Sequence, residues 1–482
     1  MTNNESFVQE FFLLALLVSL VQTGHTQLIE KAPSSPVAVT ATLDSLNALV
    51  EISDIYIRGY KRTKPYIIQR EVPFKKGEHL LISELLAKLN LCKQQIINTS
   101  LFVDVDIKPF KLDSNHILID IYVKERWYFF PIPYFNIVTR NFNDWWVNQN
   151  HRLDRVNYGV KFTQYNFTGR NDNLNLWFIS GFTQQVSLRY DNPFLDKQLK
   201  HGLNVGVGFS RNRELNYGLD SNIQKFLKTE DQFILNQTNI DVAYTYRPAI
   251  KTRHAFKAVY HTMSINDTVL AYNPKYLPGN GTKARYFDMS YGIQYFNVDY
   301  IPYPLTGFMG SAELFKRFGR DNNIWQLSAT ANYSKKLFPN TFIQLQASGI
   351  IKLPFTQSFI NSNLLGSASL YMRGLEYYVV NGVAGGVARA TVKNEILSLN
   401  VRNPIKSKTH DKIPFRVFVK AYGDLGYAYS RDYGNSIFNN QLLRTWGAGI
   451  DIITFYDIVL RFEYSFNQIG QNGLYFHNQN DW

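Results

Sequence analysis

From about Trp127 to the C-terminus, apolar and polar residues alternate with a period of two. Leu203, Val205, Val207 and Phe209 alternate with Asn204, Gly206, Gly208 and Ser210. Ile240, Val242 and Tyr244 alternate with Asn239, Asp241 and Thr245, and Leu460, Phe462, Tyr464 and Phe466 with Arg461, Glu463 and Ser465. Such a period gives each segment one apolar and one polar face, as in a strand. The segments exceed the ~5–6 residues of a mean soluble strand and approach the ~9–11 that a bilayer requires. They begin near Trp127, Val156, Asn171, Thr183, Gly202, Leu235, Thr252, Lys283, Thr306, Asn322, Thr341, Gly386, Pro414, Leu443, Asp457 and Asn472. That makes about sixteen, an even number that suits a closed antiparallel transmembrane β-barrel. A large soluble all-β protein would alternate too, but it would bury its apolar face against a second sheet. The longer connections, Asn212–Leu235, Asn266–Lys283 and Lys352–Gly382, are expected to face outside the cell.

The pattern before Trp127 is different. Residues 51–126 read as a compact α+β module in the order β-α-α-β-β. Ile55 and Ile57 alternate ahead of Gly59, and Thr63-Lys-Pro65 can open a short helix. Ile82, Leu85, Leu86, Leu89 and Ile96 recur at helical spacing, with Ser83 a candidate cap. Leu101–Ile107 and Ile117–Val123 form a hairpin across Asp113-Ser-Asn115. The run Ile57-Arg-Gly-Tyr-Lys-Arg-Thr63, the central Gly77, Asn98-Thr-Ser-Leu-Phe102-Val-Asp-Val105 and Val123-Lys-Glu125 resemble a POTRA domain. The resemblance implies a module that binds partner polypeptides by strand addition; the alternative is a spacer. Residues 27–50, with Pro33 and Pro36, read as a linker.

Composition sharpens this reading. Charged residues are 18% of the chain and aromatics 15%, against about 25% charged in soluble domains. Beyond the N-terminus no stretch approaches the ~18 apolar residues of a membrane helix. Phe11–Val21 has the length of a signal-peptide core, so residues 1–26 read as a signal peptide, although no Lys or Arg precedes the run. The net charge is +13, but its cations are dispersed among strands. That suits a polar lumen and lipid phosphates at the outer membrane, not nucleic acid. Cys92, the single cysteine, lies in a helical pattern and reads as a buried small hydrophobe. The histidines lack ligand spacing, no nucleophile elbow appears, and no Gly-rich phosphate loop is present. No cofactor, metal or catalytic residue is expected, and an outer-membrane phospholipase or protease is disfavoured.

The long connection before Gly386 carries Tyr371-Met-Arg373-Gly374-Leu-Glu376. On the next strand Arg389, Thr391, Lys393 and Glu395 share one parity; on the following one Arg416, Lys420, Tyr422 and Asp424 do. Both acids therefore face inward. A guanidinium folding into the lumen can pair with Glu395 and Asp424 through its rigid fork, which lysine cannot copy. Gly374 permits the sharp bend.

These stretches, with Tyr422-Gly-Asp424-Leu-Gly426, Asn166-Phe-Thr-Gly169, Asp191-Asn-Pro193-Phe194 and Trp446-Gly-Ala-Gly449, resemble the BamA/TamA superfamily of outer-membrane assembly factors. The resemblance runs from about Glu51 to the end, with one POTRA module and with Met372 and Leu375 as departures beside the Arg-Gly pair. It implies a POTRA domain in the periplasm and a sixteen-stranded barrel at 127–482. In that barrel Arg373, Gly374, Glu395, Tyr422, Asp424 and Gly426 fasten the sixth loop. It also implies a weak lateral seam between first and last strands, here Trp127, Tyr128, Pro131 and Pro133 against Tyr475 and Trp482. Pro131 and Pro133 lack ladder donors, which suits a strand that opens; they also fit an irregular chain entry. The expected function is non-enzymatic: handling unfolded outer-membrane or secreted client proteins for insertion or translocation. Accessory lipoproteins are a further partner class. The alternatives are a transporter dedicated to one secreted partner and a passive pore.

Overall fold

The structure is a computed structural model that describes residues 30–31, 47–113, 115–137, 156–192, 194–196, 198–366, 370–402, 412–454 and 457–477. The expected signal peptide (1–26), most of the linker (27–50) and Trp482 lie outside the described residues.

The N-terminal module comprises β1 (Leu49–Arg58), α1 (Pro65–Gln69), β2 (His79–Leu81), α2 (Ile82–Ile97), β3 (Phe102–Lys111) and β4 (His116–Glu125). Its sheet order is β2-β1-β4-β3, with β1 parallel to β4. Val105, Ile107, Ile119, Ile121 and Val123 bury one sheet face against Leu85, Leu89, Cys92 and Ile96 of α2. Two local details differ from the sequence reading. The strand β2 was not anticipated, because three residues are too few to display a period. Ser83 lies inside α2 and caps nothing; Leu81 holds the cap position without a side-chain bond. Cys92 is fully buried, and burial pushes its thiol up to about 12, which leaves it protonated and inert.

Among the described residues sixteen strands then form the barrel wall, each antiparallel to the next, and the last pairs back to the first. Those used below are the first (Phe129–Ile137), second (Val156–Gln164), eleventh (Thr341–Leu353), twelfth (Ala384–Arg402), thirteenth (Lys412–Tyr429), fourteenth (Leu443–Ile453), fifteenth (Val459–Asn467) and sixteenth (Asn472–His477). Burial is inverted relative to a soluble protein. Val205, Val207, Ile240, Phe256, Leu314, Leu345 and Val419 are exposed on the outer wall, whereas Asp241, Asp288, Lys393, Lys420, Asp451 and Glu463 are buried within. No second sheet covers the apolar face among the described residues, which removes the soluble-sandwich alternative. No described helix is long and apolar enough to cross a membrane.

The twelfth and thirteenth strands outrun their neighbours. Pairing with the eleventh ends at Thr341↔Asn394, and pairing with the fourteenth at Arg416↔Ile453. Residues Leu399–Arg402 and Lys412–Phe415 pair with each other beyond that rim, past a bulge at Glu395/Leu397. The two-residue strand Glu30–Lys31 adds to the free edge at Leu399–Asn400.

The module is docked on this same rim. Arg126 pairs with Asp457 through both Nη atoms, and the Tyr300 hydroxyl donates to the same carboxylate. Arg247 pairs with Glu71 at 2.8 and 3.1 Å. The Asn166–Gly169 turn receives Arg62 and Thr63: Asn166 Nδ2 donates to Thr63 Oγ1 at 2.9 Å, and Lys64 N donates to Gly169 O. Phe194 and Leu199, from a barrel turn, complete the module's own apolar core. Two of the stretches singled out in the sequence, Asn166–Gly169 and that holding Phe194, thus serve this junction.

Candidate functional site

The connection after the eleventh strand, in its described residues 354–366 and 370–383, enters the opposite mouth and descends into the lumen. Its descent is apolar: Leu364, Leu365, Leu370, Met372, Leu375 and Val380 are buried in one cluster with Ile350, Val387, Ala428, Phe438 and Leu443. Burying each such side chain stabilises by roughly 1.5–3 kcal/mol, so this cluster anchors the loop alongside its charges. Met372 and Leu375, departures in the sequence comparison, are therefore anchors. Gly426 leaves room for the first of them, since a Cβ there would lie 2.7 Å from Met372 Sδ and the thioether would have to shift.

At the bottom sits Arg373, 7% exposed, against Asp424, 1% exposed. Arg373 Nε donates to Asp424 Oδ2 at 2.9 Å, Nη2 to Oδ1, and the backbone N to Oδ2 at 3.2 Å. Arg373 Nη1 donates to Thr391 Oγ1 at 3.1 Å, and the guanidinium lies 3.9 Å from the Tyr422 ring centroid. Tyr422 itself is held by Ser465, hydroxyl to hydroxyl at 2.6 Å. Gly374 adopts φ +82°, the left-handed region that favours glycine, and its carbonyl accepts from Asn467 Nδ2 at 3.0 Å.

Glu395 is a correction. It faces inward but pairs with Arg416, at 2.8 and 3.0 Å, not with Arg373. The register explains this. Asp424 stands opposite Arg389 and Glu395 opposite Phe418, six positions farther along. At ~3.3 Å per residue that is about 20 Å, beyond reach of any arginine. The second acid near Arg373 is Glu463 on the fifteenth strand, 3.9 Å from Nη1. Glu463 also receives Lys420 at 2.6 Å, and Lys420 reaches Asp451 at 2.5 Å. Tyr303, from the turn between the eighth and ninth strands, donates to Asp451 at 2.8 Å and packs on Phe418. The site is thus a buried chain of alternating charge running down one wall. Parity in the sequence marked Lys420 as inward; no sequence signal selects Glu463 or Asp451 over other lumen acids.

The seam residues separate into two groups. Pro131 and Pro133 lie in the first strand, opposite Phe162 and Val160. Tyr128 O accepts from Tyr165 N, one residue past the second strand and in register with it. Since N–H and C=O of one residue point to the same side and alternate along an antiparallel strand, even residues here serve the second strand. Odd residues, both prolines included, point to the sixteenth strand. Two donors are therefore missing on the closing edge. Trp127 is exposed before the strand begins. Tyr128 is a second correction: it is buried in the N-terminal module, its hydroxyl donating to Leu101 O at 2.9 Å, because the chain has not yet left that module. Tyr475 faces the lumen on the sixteenth strand, its ring 5.6 Å from that of Tyr377 in the loop.

Among the described residues no group of His, Cys, Asp and Glu could hold a metal ion.

Comparison with family models matches residues 166–454 to the Omp85 superfamily domain and residues 50–126 to the POTRA model, described as a surface antigen variable number repeat. No curated protein matches by sequence. Among solved structures the chain resembles CdiB from Escherichia coli, with 11% identity, TM-score 0.51, and coverage of 89% of this chain and 74% of that one. BamA from Haemophilus ducreyi lacking POTRA domains 1–3 gives 15% identity, TM-score 0.47, and coverage of 89% and 83%. At these identities the likeness is one of fold.

Proposed function

The chain belongs to the Omp85 superfamily, and from that premise we propose that it handles client polypeptides at the outer membrane, aiding their insertion into it or passage across it. In this reading the POTRA module lies in the periplasm and receives the client as an added strand. The client then pairs at the seam between first and sixteenth strands, and Arg373 with Asp424 holds the loop that keeps the barrel in working shape. Pro131 and Pro133 carry the seam reading, because a closed barrel offers no edge unless ladder bonds are few at one place.

The test is depletion of the protein followed by a census of outer-membrane barrels and secreted proteins. General loss of other barrels supports assembly. Loss of one secreted protein alone points to a dedicated transporter. Normal levels of every client remove the proposal and leave a passive pore.

A further inference from the structure

We infer that the lumenal loop also fastens the last barrel strand, through His477, so that the loop determines how readily the seam opens. The inference rests on the seam reading above. His477 is on the lumen face of the sixteenth strand. Its Nε2 is 2.6 Å from the Tyr371 hydroxyl and 3.5 Å from Glu376 Oε1, both in the loop, and 3.3 Å from Glu463 Oε2 on the fifteenth strand. One imidazole therefore spans three elements: loop, fifteenth strand and sixteenth strand. Glu376 is fixed for this contact, since its Oε1 accepts from Gly374 N at 3.0 Å and from the Tyr371 hydroxyl at 3.1 Å. Tyr371 is fixed in turn, with its carbonyl bonded by Arg389 and its ring 4.9 Å from that guanidinium. Arg389 reaches Asp424 at 3.9 Å, so the His477 contacts and the Arg373 contacts share one network.

The same loop touches that end of the barrel twice more. Tyr378 donates to Gln471 Oε1 at 2.7 Å, and Tyr377 packs on Tyr475. These ties matter because the sixteenth strand is the one that closes the barrel against the proline-bearing first strand. Its described residues Asn472–His477 pair with the fifteenth strand, and on its other side it closes against a first strand that lacks two donors. A side-chain bracket of one imidazole, one phenol and two carboxylates thus adds to the ladder in holding the last strand in register. His477 is a positioning residue: it touches no client, and acts by holding the strand on which a client would pair.

The test uses the full chain in outer membranes. Cysteines in the first and sixteenth strands report seam opening by disulfide yield and thiol labelling; loop proteolysis reports the Arg373 lock; heat-dependent gel mobility reports an inserted barrel. H477A is expected to raise seam labelling at least about threefold while the loop stays protected. H477Q, which keeps a donor for one carboxylate, should restore much of the closure. Y371F removes one hydroxyl and should give a smaller rise in the same direction, which covers the case in which H477A fails to insert. Equal seam labelling in Y371F, H477Q, H477A and the parent would overturn the bracket. Full client handling by a permanently cross-linked seam would instead overturn the seam reading, whatever H477A does to opening.

Discussion

Arg373 is the residue on which the lumenal arrangement turns, and it is a costly one to bury. A guanidinium out of water is tolerated only with its partners in place, and removing one member of such a buried pair typically costs about 3–5 kcal/mol. Arg373→Ala is expected to leave the barrel inserted, because the ladders do not involve it. The loop should then become open to protease and client handling should fall. Arg373→Lys should behave nearly as badly, since an ammonium cannot make the two-atom contact to Asp424 and the contact to Thr391 together. Wild-type activity in both variants would strip Arg373 of its role. Gly426→Val tests the apolar half of the same anchor. The added carbons meet Met372 Sδ, and the expected penalty is about 1–3 kcal/mol of loop anchoring, read as protease sensitivity. Shortening Met372 to alanine in the same chain should relieve it. At this scale the sequence showed which side chains face inward but not how far down the wall each sits. Asp424 was placed correctly by parity, while Glu395 shares that parity and lies about 20 Å too low. Depth depends on strand pairing register, which no single segment encodes.

Strands were the most legible elements. The sixteen sequence starts fall within two residues of the described ones, because alternation between lipid and lumen persists over the whole of each strand and the turns break it cleanly. What the alternation hides is the extension of the twelfth and thirteenth strands past the rim, where the bulge at Glu395/Leu397 turns Ile396 and Leu397 both outward. The first strand permits a direct test of the seam. Replacing Pro131 and Pro133 by alanine returns two N–H donors aimed at the sixteenth strand. Each new ladder bond is worth about 0.5–1.5 kcal/mol, so the double variant should close the seam more tightly and raise the temperature at which the barrel unfolds in gels. Client handling should slow. An unchanged unfolding temperature would mean that the prolines do not weaken the closure.

The molecule as a whole places a small α+β module beneath one mouth and a pinned loop within the other. The module contacts barrel turns through Arg126–Asp457, Glu71–Arg247 and the Thr63–Asn166 pair, and it borrows Phe194 and Leu199 for its core. It should therefore behave as a fixed base. Cutting both ion pairs with Arg126→Ala and Glu71→Ala is expected to broaden the module-to-barrel distance distribution measured between spin labels, with the barrel itself unaltered; an already broad distribution in the parent would contradict a fixed base. None of this docking was legible in the sequence, because the interface joins turn residues far apart in the chain and has no period. The central proposal is that clients are served at the seam. With the buried Cys92 replaced by serine, one cysteine in residues 129–137 and one in 472–477 should form a disulfide that arrests client insertion and releases it again on reduction. Undiminished insertion by the fully oxidised barrel would contradict the proposal.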